Sequence, residues 1–214
     1  PFSADVTNTP SLQRGAANFM NYCSGCHSLQ FLRYNRVARD LGIPEELVEK
    51  HLMYTTDSVL EHINSAMPAD ASAGWFGQAP PDLSLTARSK SPAWIYSFLN
   101  TYYIDPERPN GVDNVQLPGA AMPHVLAGLQ GYRRLVEDEN GSHSSRPQFE
   151  TVVPGSLTEA EYRQFTADIT NFLAYAAEPG KAARISLGWK VLFFLLIFWG
   201  LAYALKREYW KDVH

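Results

Sequence analysis

The chain has 214 residues, 45% of them apolar, with 14 Pro, 14 Gly and a formal net charge of −4. That suits one domain with a sizeable core and many turns, alone or with an appendage. The charge is uneven: residues 1–180 hold 12 Lys/Arg against 20 Asp/Glu, a balance of −8, and residues 181–214 hold 6 against 2, a balance of +4. An acidic body excludes nucleic acid as a partner, because phosphate binding needs a basic surface, and it suits a basic protein partner.

Pro1 is not an initiator and no signal peptide follows it. The numbering is therefore expected to begin after a removed segment. In "TPSLQRGAANFMNYC", Pro10 beside Thr9 and Ser11 predicts a helix start capped by Thr9 or Ser11. Leu12, Ala16, Phe19 and Tyr22 or Cys23 give its apolar stripe. "PEELVEKHLMY" (44–54) opens with Pro and two acids, as a helix N-terminus should. "SPAWIYSFLNTYY" (91–103) has Pro at its second position and a dense aromatic face. The stretches 64–90 and 104–155 are expected to be irregular, with many Pro, Gly and Asn. Within the second, Glu137, Asp138 and Glu139 are candidates for steering a basic protein, unless they are only a solvated charge cluster. In "SLTEAEYRQFTADITNFLAYAAEP" (156–179), Ser156 and Glu159 predict a capping box, and Tyr162, Phe165, Ile169, Phe172 and Leu173 repeat at helical spacing. No internal repeat and no long alternating pattern is present, so a parallel sheet is not expected. The expected fold is all-α with long loops.

The last element is "ISLGWKVLFFLLIFWGLAYAL", Ile185 to Leu205, 21 residues whose single charge is Lys190. As a helix it would be ~31 Å long at ~1.5 Å per residue, matching a hydrocarbon core of ~30 Å. Lys190 can snorkel, and Trp189, Tyr209 and Trp210 suit the two interfaces. A buried core helix is the competing reading, but the segment is apolar on every face. The cations before and after it balance, so charge alone does not orient it. Residues 1–180 are thus read as one domain and 181–214 as a membrane anchor, spanning at about 185–205.

The stretch "NYCSGCHSLQ", 21–30, holds both cysteines of the chain and a histidine directly after the second. Three chemistries want such a group. A redox C-x-x-C belongs in alternating β and α units, which this sequence lacks, and a structural zinc site usually takes four ligands. C-x-x-C-H is also the attachment signature of c-type haem. There the thiols Cys23 and Cys26 reach the two vinyl groups on one porphyrin edge, and His27 lies under the ring to bind the iron. This last reading is preferred; a thiol redox pair and a metal site remain beside it.

The iron then needs a second axial ligand. Met20 lies on the helix that carries the motif, and Met53 reads as core. Met67 and Met122 each precede a proline. "LPGAAMPHVLAG" (117–128) is the better candidate: Gly119, Ala120 and Ala121 permit close approach, and Pro123 biases Met122 towards an extended backbone. On spacing alone Met122 fits apolar filler equally well, and a bis-histidine site through His62 or His124 competes with it.

At these residues the sequence resembles the cytochrome c1 family, over nearly its whole length. The resemblance rests on "RGAANFMNYCSGCHSLQFLRYNR", "APPDLSL" (79–85), "GAAMPHVL" (119–126) and "FLAYAAEPGKAARISLGWK" with the span that follows. It implies a class-I-type cytochrome c domain on one C-terminal transmembrane helix, carrying one haem c. Cys23 and Cys26 would be the thioether anchors, His27 the proximal and Met122 the distal iron ligand, with Ala79, Pro80 and Pro81 lining the haem. Gly15 and Phe19 would sit where the first helix crosses the last, with Tyr175 as their partner. The family's propionate-binding Arg is expected before the 79–85 loop; none stands there, leaving Trp75 or Arg88. The implied function is electron transfer within a quinol–cytochrome c oxidoreductase. The electron would pass from a Rieske iron–sulfur protein to a soluble or membrane-bound cytochrome c, beside cytochrome b in a dimeric complex. The implied setting is a bacterial inner membrane, with residues 1–180 in the periplasm and the basic C-terminus in the cytoplasm, in keeping with the positive-inside tendency. The alternative is a haem catalyst with an open iron position, peroxidase- or reductase-like.

Overall fold

The computed structural model describes residues 2–136 and 147–211; the acidic trio Glu137, Asp138 and Glu139 therefore lies outside the described residues. In chain order the elements are α1 (Thr9–Tyr22), β1 (Leu29–Arg33), α2 (Tyr34–Leu41), α3 (Glu45–His51), β2 (His62–Ile63), α4 (Ala69–Phe76), α5 (Thr86–Ser89) and α6 (Pro92–Asn100). There follow β3 (Tyr102–Ile104), β4 (Val112–Asn114), α7 (Ala127–Gln130), β5 (Gly131–Val136), β6 (Gln148–Pro154), α8 (Glu159–Ala177) and α9 (Lys181–Tyr209). They fall into two units, Pro1–Ala177 and Glu178–His214.

The first unit is built on the crossing of α1 and α8. At Gly15 an added Cβ would stand 2.1 Å from the Asp168 carbonyl oxygen and 2.8 Å from the Phe172 Cβ, so only glycine lets the two backbones meet. One turn on, the Phe19 and Phe172 rings pack with centroids 5.8 Å apart, both fully buried. Tyr175 continues this face, its ring 6.0 Å from Phe172 and its hydroxyl donating to Asp40 at 3.1 Å. The crossing also buries a carboxylate. Asp168, 2% exposed, accepts Arg14 Nε at 2.7 Å, Arg14 Nη2 at 3.0 Å, the Ser11 hydroxyl at 2.5 Å and the Gln164 amide at 2.9 Å. A buried charge is tolerable when so many donors replace its water.

Helix starts differ from the sequence pattern where tertiary bonds compete. The cap of α1 is Asn8, whose side chain accepts from the Ser11 N–H, because Ser11 is committed to Asp168. The capping box of α8 is Thr158–Glu161, not Ser156–Glu159. The Ser156 and Leu157 N–H groups donate to the carbonyls of Gly128 and Leu129, which holds these residues out of the helix. Thr158 and Glu161 then exchange the reciprocal bonds, Thr158 N–H to the carboxylate at 2.8 Å and Glu161 N–H to the hydroxyl at 3.3 Å. Ser91 caps α6 as its Ser-Pro pair suggests, but the helix stops at Asn100 and Tyr102–Ile104 turns into strand.

Three two-stranded antiparallel ribbons form, β1 with β2, β3 with β4 and β5 with β6; β4, β5 and β6 fall in the 104–155 stretch expected to be irregular, and β3 begins in the 91–103 stretch expected to be helix. β2, β3 and β4, of two or three residues, are too short to show an alternation. In the second unit α9 runs 29 residues, four beyond each end of the apolar stretch, and closes on Lys206 and Arg207. It is the one described helix long and apolar enough to cross a membrane, and its window of lowest polarity has no buried residue.

Candidate functional site

The thiol motif is folded by the end of α1. Cys23 N–H still donates to the Phe19 carbonyl, and the Cys23 carbonyl then accepts both Cys26 N–H at 3.0 Å and His27 N–H at 2.8 Å. One tight turn thus presents two thiols and an imidazole together. Both cysteines are unpaired, Cys23 buried and Cys26 half-buried. Burial pushes the Cys23 thiol up to about 12, with the neighbouring Cys26 adding to the shift. A redox pair needs a lowered thiol pKa, so this environment disfavours that reading. Among the described residues no group of three His, Cys, Asp or Glu side chains assembles into a metal-ion site, which leaves a zinc reading without its remaining ligands.

His27 is 7% exposed, and its Nδ1 lies 2.8 Å from the Pro81 carbonyl oxygen. A carbonyl only accepts, so Nδ1 carries the proton and the Nε2 lone pair is left for a metal. Burial lowers the pKa of the ring and keeps it neutral, as a ligand must be. The Pro81 loop is fixed against the motif by Leu83 N–H to the Ser28 carbonyl at 2.9 Å, Gln30 N–H to Asp82 at 2.8 Å and Phe31 N–H to the Ser84 hydroxyl at 3.2 Å.

Cys26, His27, Pro80, Pro81 and Met122 all line one largely apolar cleft with about 400 Å3 of space, part of it open to solvent; Phe76, Gln78, Ala121 and Pro123 complete the wall. The structure therefore brings His27 and Met122 to a common space from segments 95 residues apart in sequence. Ala79 is exposed and outside this lining, with its neighbours Gln78 and Pro80 in it. Trp75 is 65% exposed and Arg88 is exposed on α5; neither lines the cleft. The other candidate ligands lie elsewhere. Met20 is buried in α1, Met67 precedes α4 outside the lining, and His62 in β2 accepts from Arg33 at 3.3 Å beside a different, polar cleft. The His124 ring stacks on Tyr102, centroids 4.6 Å apart and 5° from parallel, and its edge meets Tyr132.

The Met122 loop is built by short polar side chains that satisfy its backbone. Asp113, 7% exposed, accepts the N–H groups of Asn114 and Gly119 at 2.7 Å each. Asn114, fully buried, accepts from Gln116 N–H at 2.9 Å. Gly119 has φ +78°, the left-handed conformation that suits glycine, which is the local reason for the Pro-Gly pair. Phe76, Gln78 and the supporting Asp113 escaped the sequence pattern. The Pro-rich "GQAPP" run was the one cue that backbone there would approach a ligand.

A neutral histidine with a free Nε2, two unpaired thiols within the turn before it and a thioether at the same cleft match the donor set of a covalently held haem. A family model described as "Cytochrome C1 family" matches residues 4–213. Among similar proteins, cytochrome c1 of Allochromatium vinosum is 46% identical over 213 residues, covering 98% of this chain and 87% of that protein. A protein of Nitrosomonas europaea named ammonia monooxygenase gamma subunit is 39% identical over 210 residues, covering 98% and 86%. Cytochrome c1 of Rhodospirillum rubrum is 31% identical over 245 residues, covering 95% and 82%.

Proposed function

Because the chain belongs to the cytochrome c1 family, the haem-bearing electron-transfer subunit of the cytochrome bc1 complex, we propose that Cys23, Cys26, His27 and Met122 hold its haem c. Cytochrome b and the Rieske protein are its partners in that complex, and a haem catalyst with an open iron position is not favoured. The observation that carries the residue assignment is the shared cleft of His27 and Met122, with the His27 Nδ1 proton committed to Pro81.

When bound, the haem supplies reversible one-electron exchange at its iron. The chain's residues set where and at what potential this happens. The thiols of Cys23 and Cys26 would anchor the group by thioethers, and His27 Nε2 and the Met122 sulfur would serve as its proximal and distal ligands. A thioether favours ferrous iron and raises the potential relative to a second imidazole. Phe76, Pro80, Pro81, Ala121 and Pro123 give the cleft an apolar wall, and apolar surroundings raise it further. Donors from both His27 and Met122 would suit electron transfer rather than oxygen chemistry. The acidic balance of residues 1–180 supports docking of a basic cytochrome as acceptor. Residues 1–180 are the haem domain and lie in the periplasm of a bacterium. α9 anchors it, the C-terminus is cytoplasmic, and the whole complex is dimeric.

The test uses the full chain purified from membranes. Haem should stay with the polypeptide on a denaturing gel, cytochrome b and the Rieske protein should co-purify, and Met122→Leu should lower the potential and open the iron to carbon monoxide. Haem that extracts into acidified organic solvent would overturn the anchors. A Met122→Leu protein with unchanged potential would place the distal ligand elsewhere.

A further inference from the structure

The proposed distal ligand is held by something the haem motif does not contain. Among the described residues the main chain of Met122 makes one hydrogen bond: its carbonyl accepts from the Tyr102 hydroxyl at 3.0 Å. Pro123 follows, so the next residue brings no N–H to the loop. Tyr102 is 2% exposed and sits at the start of β3, paired across the ladder with Asn114, which in turn shapes the 114–117 turn. Its ring is fixed from several sides. The His124 ring stacks on it, and the Phe98 ring meets it edge-on at 5.4 Å.

A second layer holds the clamp. The Tyr102 carbonyl accepts from the Arg133 guanidinium at 3.3 Å, and the Asn100 carbonyl from the same nitrogen at 2.6 Å. Gln130, with its amide nitrogen facing His124, donates to His124 Nε2 at 2.9 Å and accepts from Arg133 at 2.7 Å. His124 is therefore neutral with its Nδ1 protonated, and its ring is committed to the Tyr102 face. A hydroxyl this buried and this constrained has one direction to point, and that is the Met122 carbonyl.

We propose that Tyr102 is a positioning residue that tethers the backbone of Met122 and so keeps its thioether presented to the cleft, with His124, Gln130 and Arg133 holding Tyr102 in place. The idea rests on Met122 being the distal ligand. Without the tether the Met122 main chain loses its hydrogen bond while the rest of the loop, held by Asp113 and Asn114, stays formed. The consequence is a ligand that leaves more often, not a protein that fails to fold.

The experiment compares four full-length haem-loaded proteins: wild type, Tyr102→Phe, Met122→Leu and Tyr162→Phe. Tyr162 is the control, because its hydroxyl also makes a buried bond to a carbonyl, that of Leu99 at 2.7 Å, but does not touch the Met122 loop. For Tyr102→Phe we expect covalent haem at the wild-type level, a lower reduction potential and a rise of about fivefold in the haem fraction open to carbon monoxide. That factor is what the loss of one hydrogen bond carries. Tyr162→Phe should lose comparable thermal stability with neither change. Wild-type potential and carbon monoxide inertness in Tyr102→Phe, while Met122→Leu loses both, would overturn the tether alone. If Met122→Leu also behaves as wild type, the ligand assignment and the tether fall together. Equal effects in Tyr102→Phe and Tyr162→Phe would reduce Tyr102 to a general core residue and overturn its positioning role.

Discussion

At the scale of single residues, the haem-binding chemistry and the fold depend on different kinds of specificity. His27 needs one hydrogen bond, to Pro81, to fix which nitrogen is free. Gly15 needs no bond at all; it needs the absence of a side chain. Gly15→Ala places a methyl group 2.1 Å from a backbone oxygen of α8. That atom is no flexible side-chain tip, so the helices must separate, and overpacking of this kind costs about 3 kcal/mol. The Phe19–Phe172 contact and the Asp168 cluster would loosen with it. Urea unfolding of the haem-loaded protein should show the loss as a lower midpoint, and an unchanged midpoint would mean that α1 and α8 pack differently from the arrangement seen. The "GAANF" run is thus legible as helix from its pattern. From pattern alone its glycine reads as a defect, and it was the family resemblance that placed it at the crossing with the last helix of the domain.

At the scale of elements, α8 carries the core and its first turn is set by a cap. Thr158→Ala removes the hydroxyl that accepts from Glu161 N–H, and should cost ~1 kcal/mol in the same unfolding measurement. The Glu161 carboxylate, bonded to the Thr158 hydroxyl and N–H, titrates below the ordinary glutamate range. A depressed carboxylate stabilises the fold above its unfolded pKa, and that contribution is lost as pH falls through the folded one. Glu161→Gln should therefore lower the neutral plateau slightly and flatten the fall of stability below about pH 4.5, so that the two proteins converge in acid. A variant whose acid limb matches wild type would show the cap carboxylate to be silent. The sequence announced a capping box but put it two residues early, at Ser156. What moved it was a long-range demand, the bonds from Ser156 and Leu157 to Gly128 and Leu129. The ribbons were hidden for a similar reason. Tyr102 and Tyr103 extend the aromatic helical pattern of 91–103, and only pairing with 113–114 draws them into strand.

At the scale of the whole molecule, the proposed haem ligands all lie in the unit that ends at Ala177, and the apolar span lies in the other. Cutting the chain after Gly180 removes α9 and six cations but no proposed ligand and no residue of the α1–α8 crossing. The fragment should be water-soluble, haem-loaded and redox-active, and should no longer assemble with cytochrome b or support quinol oxidation. Membrane helices associate by packing rather than by a hydrophobic drive, so losing α9 removes that packing surface entirely. A fragment that fails to hold haem would tie the tail to the core. Stoichiometric co-purification of the fragment with cytochrome b would place the assembly contacts in residues 1–180.

By itself the sequence determined whatever is local or compositional. The C-x-x-C-H group needs only consecutive residues to form its turn, the apolar run 185–205 needs only its own length to span a bilayer, and the main helices need only their periodicity. Tertiary structure decided what depends on residues far apart. It decided that Met122, and not Met67 or His62, shares the His27 cleft, because that requires the Pro81 and Met122 loops to meet. It decided that His124 serves as a wall for Tyr102, because an imidazole already stacked and hydrogen-bonded is held away from that role as ligand. The sequence favoured Met122 through its Pro-bounded loop and the family resemblance, but spacing cannot by itself bring two distant loops to one cleft; burial and the hydrogen bonds of a folded chain do that.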